Sequence, residues 1–305
     1  MTLAVLCSGQ GGQHAGMFDL VECDGSAGPL IARANECARF DVVAAVRTTQ
    51  APSMFDNAIA QPLICAYQGI VWSLLATAGV STTYTAGYSV GELTSHAVAG
   101  RLSWTDTIAL ARERAAAMST AAGPDDGLVA IRGLTRVAVD GLLTGLRAFV
   151  AIVNGDDQFI VGGTGEALAA LTAAAVSRGA VVQRLPVGIA AHTPLLDAAV
   201  VPFREALVKR DWTASIVPAI AGIDGSLVRD ASTAIDRLSR QVAETIRWTD
   251  CMNTLVERGV TVCLELGPGA ALSRMMVERH REVASRSVGE FRSLAAVVEW
   301  VARAV

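Results

Sequence analysis

Short apolar runs that end in glycine alternate along the chain with segments of helical periodicity. The run LAVLCSG (3–9) leads into a glycine-rich turn, and the run TYTAGYS (83–89) leads into a helix that begins at Val90. Runs of this kind are typical of parallel strands that are buried on both faces. Helical periodicity predicts helices over 29–47 and 104–122. The alternation of strand, turn and helix predicts a doubly wound, parallel-rich α/β sheet.

The pattern changes between residues 127 and 188. Here the apolar spacing predicts strand, helix, two strands joined by an Asn-Gly-Asp-Asp turn, a helix capped by Thr164, and a final strand. The order β-α-β-β-α-β is typical of a ferredoxin-like unit. We therefore predict a small α+β domain at 127–188, inserted into a large α/β domain formed by 1–126 and 189–305.

One apolar segment, PLICAYQGIVWSLLATAGV, is long enough to span a bilayer. It carries the polar residues Gln68, Ser73 and Thr77 and lies just before the second predicted strand. A helix that is buried on all sides in a large domain has the same composition. We predict a core helix at about 62–79 and no contact with a membrane.

Composition narrows the class of protein. Of 305 residues, 52% are hydrophobic and 18% are charged, which indicates a globular chain with a large core. The formal net charge of −4 argues against a nucleic-acid binder, which needs a basic surface. The six cysteines form no CxxC pair and no zinc-finger spacing, so we expect free thiols and no metal site. The N-terminus lacks the features of a signal peptide, and we expect a cytoplasmic protein.

The segment AGYSVGEL places Ser89 between Gly87 and Gly91, at the predicted junction of strand and helix. In a nucleophile elbow, such glycines allow close backbone packing while the serine hydroxyl stands above the sheet edge. The free N–H groups at the start of the helix point towards a developing oxyanion, and the N–H of Val90 is one of them. Glycine and serine are also common in ordinary turns, so the motif alone leaves both interpretations open.

A nucleophilic serine needs a base and a second oxyanion donor. His192, in GIAAHTPLL at the exit from the predicted small domain, is favoured by its placement. The other histidines are His14, His96 and His280. The loop SGQGGQ after the first strand lies at the right sheet edge to supply the donor. As a phosphate-binding loop it lacks the lysine of a P-loop.

Six segments occur in a characteristic order: SGQGGQ, GYSVGEL followed by RERAAAM, VNGDDQFIVGG, AAHTPLL, IRWTD and LELGPGAAL. Together they resemble the malonyl-CoA:acyl-carrier-protein transacylase family over about residues 3–280. The resemblance implies a large α/β hydrolase-like domain with a small ferredoxin-like domain. It also implies transfer of malonyl from coenzyme A to the thiol of an acyl carrier protein, with the thioester as substrate and no further cofactor.

The resemblance assigns roles to the catalytic residues. Ser89 would carry the acyl group as an ester, and His192 would be its base. A backbone carbonyl near Arg247 would orient the imidazole in place of an aspartate. The backbone N–H groups of Gln10 and Val90 would form the oxyanion hole.

Two further residues are matched to substrate binding. Arg114 corresponds to the arginine that holds the malonyl carboxylate, because a planar guanidinium can grip a carboxylate through two parallel hydrogen bonds. Without the resemblance, Arg114 would be interpreted as a solvated helix arginine. Asn154 corresponds to a polar residue near the active-site cleft, and it fits an ordinary hairpin turn equally well.

One position departs from the common family pattern. Tyr88 replaces the usual histidine of GHSxGE, and the resulting GYSVGE is similar to the malonyltransferase (epsilon) subunit of malonate decarboxylase. We therefore expect that role, with other decarboxylase subunits as partners; the alternative is a fatty-acid or polyketide transacylase. Hypotheses of another class are a patatin-like acyl hydrolase, with Asp224 as the partner of Ser89, and a non-catalytic subunit.

Overall fold

A six-stranded sheet runs through the centre of the protein. The computed structural model describes residues 2–50 and 53–305. Its strands over these ranges are β1 (Leu3–Cys7), β2 (Tyr84–Gly87), β3 (Gly127–Arg132), β4 (Ala148–Val153), β5 (Gln158–Gly163), β6 (Val181–Arg184), β7 (Ala219–Ile220), β8 (Leu227–Val228), β9 (Ile246–Arg247), β10 (Val262–Glu265) and β11 (Ala284–Ser287).

Helices surround this sheet and cover one face of a second one. They are α1 (Asp19–Glu22), α2 (Ala27–Ala38), α3 (Val42–Arg47), α4 (Asn57–Thr77), α5 (Gly91–Val98), α6 (Trp104–Ala121), α7 (Arg136–Leu143), α8 (Gly165–Ser177), α9 (Asp197–Val208), α10 (Ala231–Gln241), α11 (Trp248–Glu257), α12 (Ala271–Arg279) and α13 (Leu294–Ala304). Two short 3₁₀ helices lie at Pro194–Leu196 and Val288–Glu290.

The central sheet has the strand order β11-β10-β1-β2-β7-β8. All neighbouring pairs are parallel except β7 and β8, so the sheet is parallel-rich as predicted. β1 is buried along its whole length, which explains its uninterrupted apolar sequence. Cys7 at the end of β1 pairs with Gly87 at the end of β2. The loops that follow these two strands therefore meet at the same edge of the sheet.

The second sheet has the order β6-β3-β5-β4-β9. Four of its strands come from the segment predicted as a ferredoxin-like unit, and they are all antiparallel to their neighbours within that unit. Thr164 caps α8 by accepting a hydrogen bond from the N–H of Ala167, as its position predicted. β9 comes from the later part of the chain and pairs in parallel with β4, Ile152 opposite Ile246. The two parts of the molecule thus share one sheet.

Helix α4 is the predicted apolar helix. Among the described residues it is the one helix long and apolar enough to cross a membrane, and 83% of its most apolar window is buried inside the protein. It contacts α6, α2 and α5. Its composition therefore follows from burial on all sides in the core.

The helix predicted over 29–47 is two helices. α2 ends at Ala38, and the next residue, Arg39, adopts a left-handed conformation with φ 65°. Asp41 then caps α3 by accepting hydrogen bonds from the N–H groups of Val43 and Ala44. The side-chain cap starts a new helix at a point where the apolar periodicity alone indicated continuation.

Candidate active site

Ser89 lies on a tight turn between β2 and α5. Its φ of 57° is in the left-handed region, which non-glycine residues rarely adopt. A Cβ atom on Gly91 would lie 2.1 Å from the carbonyl oxygen of Cys7, and one on Gly87 would lie 2.3 Å from the backbone nitrogen of Glu92. The glycines of the GxSxG motif are therefore required by backbone contacts, as expected for a nucleophile elbow.

His192 is brought to the serine from 103 residues away. Its Nε2 atom lies 2.8 Å from Ser89 Oγ, and its Nδ1 atom lies 2.6 Å from the carbonyl oxygen of Gln241. A carbonyl oxygen only accepts hydrogen bonds, so Nδ1 carries the proton. The lone pair of Nε2 then faces the serine hydroxyl. This arrangement can take a proton from Ser89.

The carbonyl that orients His192 is not the one that was predicted. The sequence placed it near Arg247, whereas it belongs to Gln241, the last residue of α10. Arg247 lies in β9, where its N–H donates to the carbonyl of Gly222 and its side chain is exposed. The last carbonyls of a helix have no partner within the helix, which leaves that of Gln241 free for the imidazole.

The glycine-rich loop after β1 packs against the elbow. A Cβ atom on Gly9 would lie 2.7 Å from the carbonyl oxygen of Tyr88 and 3.3 Å from Cβ of Ser89. The backbone N–H groups of Gln10 and Val90 donate to no acceptor within the described ranges. The N–H of Gln10, in the loop that packs against the elbow, and the N–H of Val90, the residue after Ser89, are thus free to donate to a developing oxyanion.

Arg114 is buried, with only 1% of its surface exposed. Its Nη1 donates to Gln61 Oε1 and its Nη2 to Gln241 Oε1, both at 2.8 Å. The interpretation of Arg114 as a solvated helix arginine is therefore wrong. Its neighbour Glu113 is the exposed member of that helix turn and pairs with Arg210.

The guanidinium of Arg114 is held by neutral groups. No carboxylate in the described part of the chain forms an ion pair with it. Burial lowers the pKa of Arg114 to about 10, although the nearby Cys65 and Glu92 act in the opposite direction. Amide oxygens fix the position of the guanidinium but do not neutralise it, so its charge is available to an anionic ligand.

His192 is uncharged in this environment. Burial and, to a smaller extent, the positive charge of Arg114 lower its pKa to about 3, while the hydrogen bond to the carbonyl of Gln241 acts in the opposite direction. A neutral imidazole at neutral pH is the form that can act as a general base.

A cleft of approximately 410 Å³ opens beside the elbow. Residues Ser8–Gly12, Tyr88, the small-sheet residues Asn154 and Gln158, and the start of α12 line it. Asn154 has two contacts: its Oδ1 accepts from the Tyr88 hydroxyl at 3.1 Å, and its N–H donates to the carbonyl of Gln158 across the hairpin turn at 2.9 Å. Both predicted interpretations of Asn154 therefore describe part of its environment.

The alternative partner, Asp224, is engaged elsewhere. Its carboxylate pairs with Arg237 at 3.0 Å and accepts from the N–H of Ser226. The Ser89 hydroxyl contacts His192 instead. Over residues 2–50 and 53–305, no three His, Cys, Asp or Glu side chains are grouped as metal ligands.

Comparison with known proteins identifies the family. A family model described as "Acyl transferase domain" matches residues 5–296. The chain belongs to this acyltransferase family. The protein is therefore an enzyme that transfers acyl groups, and a Ser–His pair such as that of Ser89 and His192 is typical of the family.

Relatives of the acyltransferase cover nearly the whole chain. The malonyl CoA-acyl carrier protein transacylase of Mycobacterium tuberculosis is 32% identical over 294 residues, which is 94% of this chain and 96% of the relative. A polyketide synthase of Streptomyces halstedii is 32% identical over 220 residues, 70% of this chain but only 4% of the synthase. The crystal structure of an acyl-carrier-protein S-malonyltransferase from Burkholderia pseudomallei superposes with a TM-score of 0.91 at 26% identity, covering 98% of this chain and 100% of that one. The predicted fold class is confirmed.

Two buried amides, Gln61 and Gln241, hold the site of the acyltransferase together and were not predicted from the sequence. Gln61 is one of the few polar residues in a largely apolar, buried helix, which is a detectable signal. Gln241 lies in the last turn of a strongly amphipathic helix, where a polar residue is ordinary. No sequence pattern distinguishes it from its polar neighbours.

Proposed function

We propose that the acyltransferase moves malonyl groups from coenzyme A to the thiol of an acyl carrier protein of fatty-acid or polyketide synthesis. The observation that carries this proposal is the buried Arg114, which is held by two neutral amides and connected through Gln241 to the Ser89–His192 pair. A buried cation that forms no direct ion pair and lies near a nucleophile favours an acyl group that carries a carboxylate.

The first half-reaction forms a seryl ester. Ser89 Oγ attacks the thioester carbonyl carbon while its proton passes to His192 Nε2. The N–H groups of Gln10 and Val90 donate to the oxyanion of the tetrahedral intermediate. When the intermediate collapses, the carbon–sulfur bond breaks and the coenzyme A thiolate takes the proton back from His192.

The second half-reaction uses the same groups in reverse. The carrier thiol gives its proton to His192 Nε2 and attacks the seryl ester carbonyl carbon. The carbon–oxygen bond to Ser89 breaks, and the serine oxygen recovers its proton from the imidazole. The neutral state of His192 at the start of each half-reaction matches this role.

A malonyl carboxylate also affects the base. Because the charge of Arg114 lowers the pKa of His192, a carboxylate bound to Arg114 offsets that charge and raises the basicity of the imidazole. Acyl groups without a carboxylate lack this effect. Selection for malonyl thus acts on both binding and proton transfer.

The relatives favour a fatty-acid or polyketide transacylase over the malonate decarboxylase subunit that Tyr88 indicated. The relatives named above are an acyl carrier protein transacylase and a polyketide synthase. The environment of Tyr88 accounts for a tyrosine without a special carrier: its hydroxyl donates to Asn154, and its ring packs edge-on against Trp248 with centroids 5.5 Å apart. A cytoplasmic location stays a prediction.

The experiment is acylation of Ser89 by malonyl-CoA and by acetyl-CoA, followed by intact mass. In Arg114→Ala, we expect kcat/KM for malonyl-CoA to fall by about 100-fold or more, since a charge-assisted bidentate pair contributes roughly 3 kcal/mol. Acylation by acetyl-CoA should be unchanged or faster. Equal losses with both thioesters would contradict the assigned role of Arg114. Transfer of the ester to a fatty-acid or polyketide carrier rather than a malonate decarboxylase carrier identifies the acceptor.

A further inference from the structure

A buried carboxylate that takes no part in the reaction above lies directly behind the nucleophile. Glu92 is in the first turn of α5 and is completely buried. Its Oε2 accepts hydrogen bonds from Gln241 Nε2 at 2.5 Å and from the N–H of Gly222 at 3.0 Å. Its Oε1 has no partner in the described part of the chain. Burying a carboxylate with an unpaired oxygen costs free energy, so its position behind the nucleophile indicates a role beyond packing.

The side chain of Gln241 connects this carboxylate to the site. Its Nε2 donates to the carbonyl of Ser89 at 3.1 Å as well as to Glu92, and its Oε1 accepts from Arg114. Its backbone carbonyl holds His192. One residue thus contacts the nucleophile, the base and the cation.

The orientation of this amide is decided by its partners. The O and N atoms of a glutamine amide exchange places by a half-turn, and the hydrogen-bond network selects one arrangement. An ionised carboxylate and a backbone carbonyl both only accept, so Glu92 and the carbonyl of Ser89 together require Nε2 on their side and thereby place Oε1 towards Arg114. In the opposite orientation, Nε2 and the guanidinium would meet as two donors.

Ordinary helix capping does not account for Glu92. An acid in the first turn of a helix is favoured by the helix dipole. The carboxylate of Glu92, however, receives its hydrogen bonds from Gln241 and Gly222, which lie 149 and 130 residues away in sequence. Burial raises its pKa to about 7, and the hydrogen bond from Gln241 is the largest effect that favours its ionised form.

We propose that Glu92 is a positioning residue that fixes the Gln241 amide and, through it, the guanidinium of Arg114. It thereby sets the preference of the enzyme for acyl groups that carry a carboxylate. The inference rests on the proposed malonyl transfer and names a residue that selects the substrate without touching it.

The test is Glu92→Gln in the full-length protein. The substitution keeps the shape but removes the charged acceptor of Gln241 Nε2, so the amide is held in place only by the carbonyl of Ser89 and by Arg114. We expect the ratio of Ser89 acylation rates with malonyl-CoA and acetyl-CoA to fall by about tenfold, mainly through KM for malonyl-CoA, as for loss of one hydrogen bond to a charged group. Labelling of Ser89 by a fluorophosphonate should stay within about twofold of the unaltered protein, because His192 keeps its backbone partner.

A matched control is Glu265→Gln. Glu265 is also completely buried, has a pKa raised to about 7 by burial, and has one oxygen without a partner in the described ranges. Its other oxygen accepts from the N–H of Ser273 at the start of α12, outside the Arg114 network. This variant should leave the malonyl-to-acetyl ratio unchanged. If Glu265→Gln lowered the malonyl-to-acetyl ratio as much as Glu92→Gln does, the proposal would be overturned, because the loss of any buried carboxylate would then have the same effect.

Two further variants keep the proposal falsifiable. In an Arg114→Ala background, Glu92→Gln should not change the ratio again, and an additional loss would overturn the proposal. If Glu92→Gln does not fold, we expect Gln241→Leu to lower the malonyl-to-acetyl ratio. An unchanged ratio in Gln241→Leu would contradict the inference. Failure of the unaltered protein to accept malonyl-CoA would defeat the proposed function itself. Malonyl preference that persists in Glu92→Gln would defeat only the present inference.

Discussion

Two residues of the site have strained backbones, and they face each other. Ser89 has φ 57° and His192 has φ 62°. Such conformations persist only where the surrounding structure over-determines them. The glycine contacts fix the elbow, and the N–H of His192 donates to the carbonyl of Val242 at 2.9 Å. The strain is thus held by the same contacts that bring the hydroxyl to the imidazole.

A second buried histidine makes the fold sensitive to acid. His96 is completely buried, neither ring nitrogen has a partner in the described part of the chain, and burial lowers its pKa to about 3. In the unfolded state the His96 imidazole binds a proton near pH 6.5, whereas in the folded state it stays neutral to a lower pH. The free energy of unfolding therefore falls as the pH drops below 6.5. At pH 5 this loss is about 2 kcal/mol per buried histidine.

We predict that His96→Leu removes part of this sensitivity. The difference in free energy of unfolding between pH 7.5 and pH 5 should shrink by about 2 kcal/mol, because leucine binds no proton in either state. Urea unfolding at both pH values measures it. An unchanged difference would mean that His96 is already protonated in the folded protein.

At the scale of elements, helix α4 positions the oxyanion loop. Gln68, at its centre, is completely buried. Its Nε2 donates to the carbonyl of Ser8 at 2.9 Å and to the carbonyl of Gly267 at 2.6 Å. The same amide thus ties the loop after β1 to the loop after β10. The polar residue that argued against a membrane helix in the sequence holds the start of the loop that carries Gln10.

We predict that Gln68→Leu slows acylation by malonyl-CoA and acetyl-CoA equally, by about tenfold, since loss of a donor leaves buried carbonyls unpaired and frees the loop. This pattern differs from that of Arg114→Ala. Ser73→Ala on the same helix is the control, because the Ser73 hydroxyl donates only to the carbonyl of Gly69 within α4. Selective loss of malonyl transfer in Gln68→Leu would contradict this role.

At the scale of the whole molecule, the site lies where the two sheets approach each other. The cleft is lined by loops of the central sheet and by the β4–β5 hairpin. Across it, the Tyr88 hydroxyl donates to Asn154, and β9 adds a backbone connection between the same two parts. The two parts of the molecule that line the cleft are therefore connected to each other by hydrogen bonds.

We expect Tyr88→Phe and Asn154→Ala each to lower the free energy of unfolding by about 1 kcal/mol, the net contribution of one hydrogen bond. The double variant should lose no more than the larger single effect, because both changes remove the same bond. Denaturant titration of the four proteins measures the coupling. Additive effects would show that the two side chains act independently.

Local patterns in the amino-acid sequence predict the elements and the position of the candidate nucleophile. Apolar runs ending in glycine, and periodic helices between them, are local properties that follow from burial, so they predict strands, helices and the parallel-rich sheet. The GxSxG spacing determines the elbow because only glycine permits the close approach seen at Gly87 and Gly91. His192 was favoured by its placement at the exit from the predicted small domain, whereas Arg114 was found only through the resemblance to a family.

The groups that support the site are known from the folded structure alone. The carbonyl on His192 was predicted near Arg247 and comes from Gln241, because the end of α10, and not its composition, places a free carbonyl there. The roles of Glu92, Gln61 and Gln68 depend on partners 50 to 200 residues away. A buried hydrogen bond is set by the packing of distant elements, and no local sequence pattern records such a pairing.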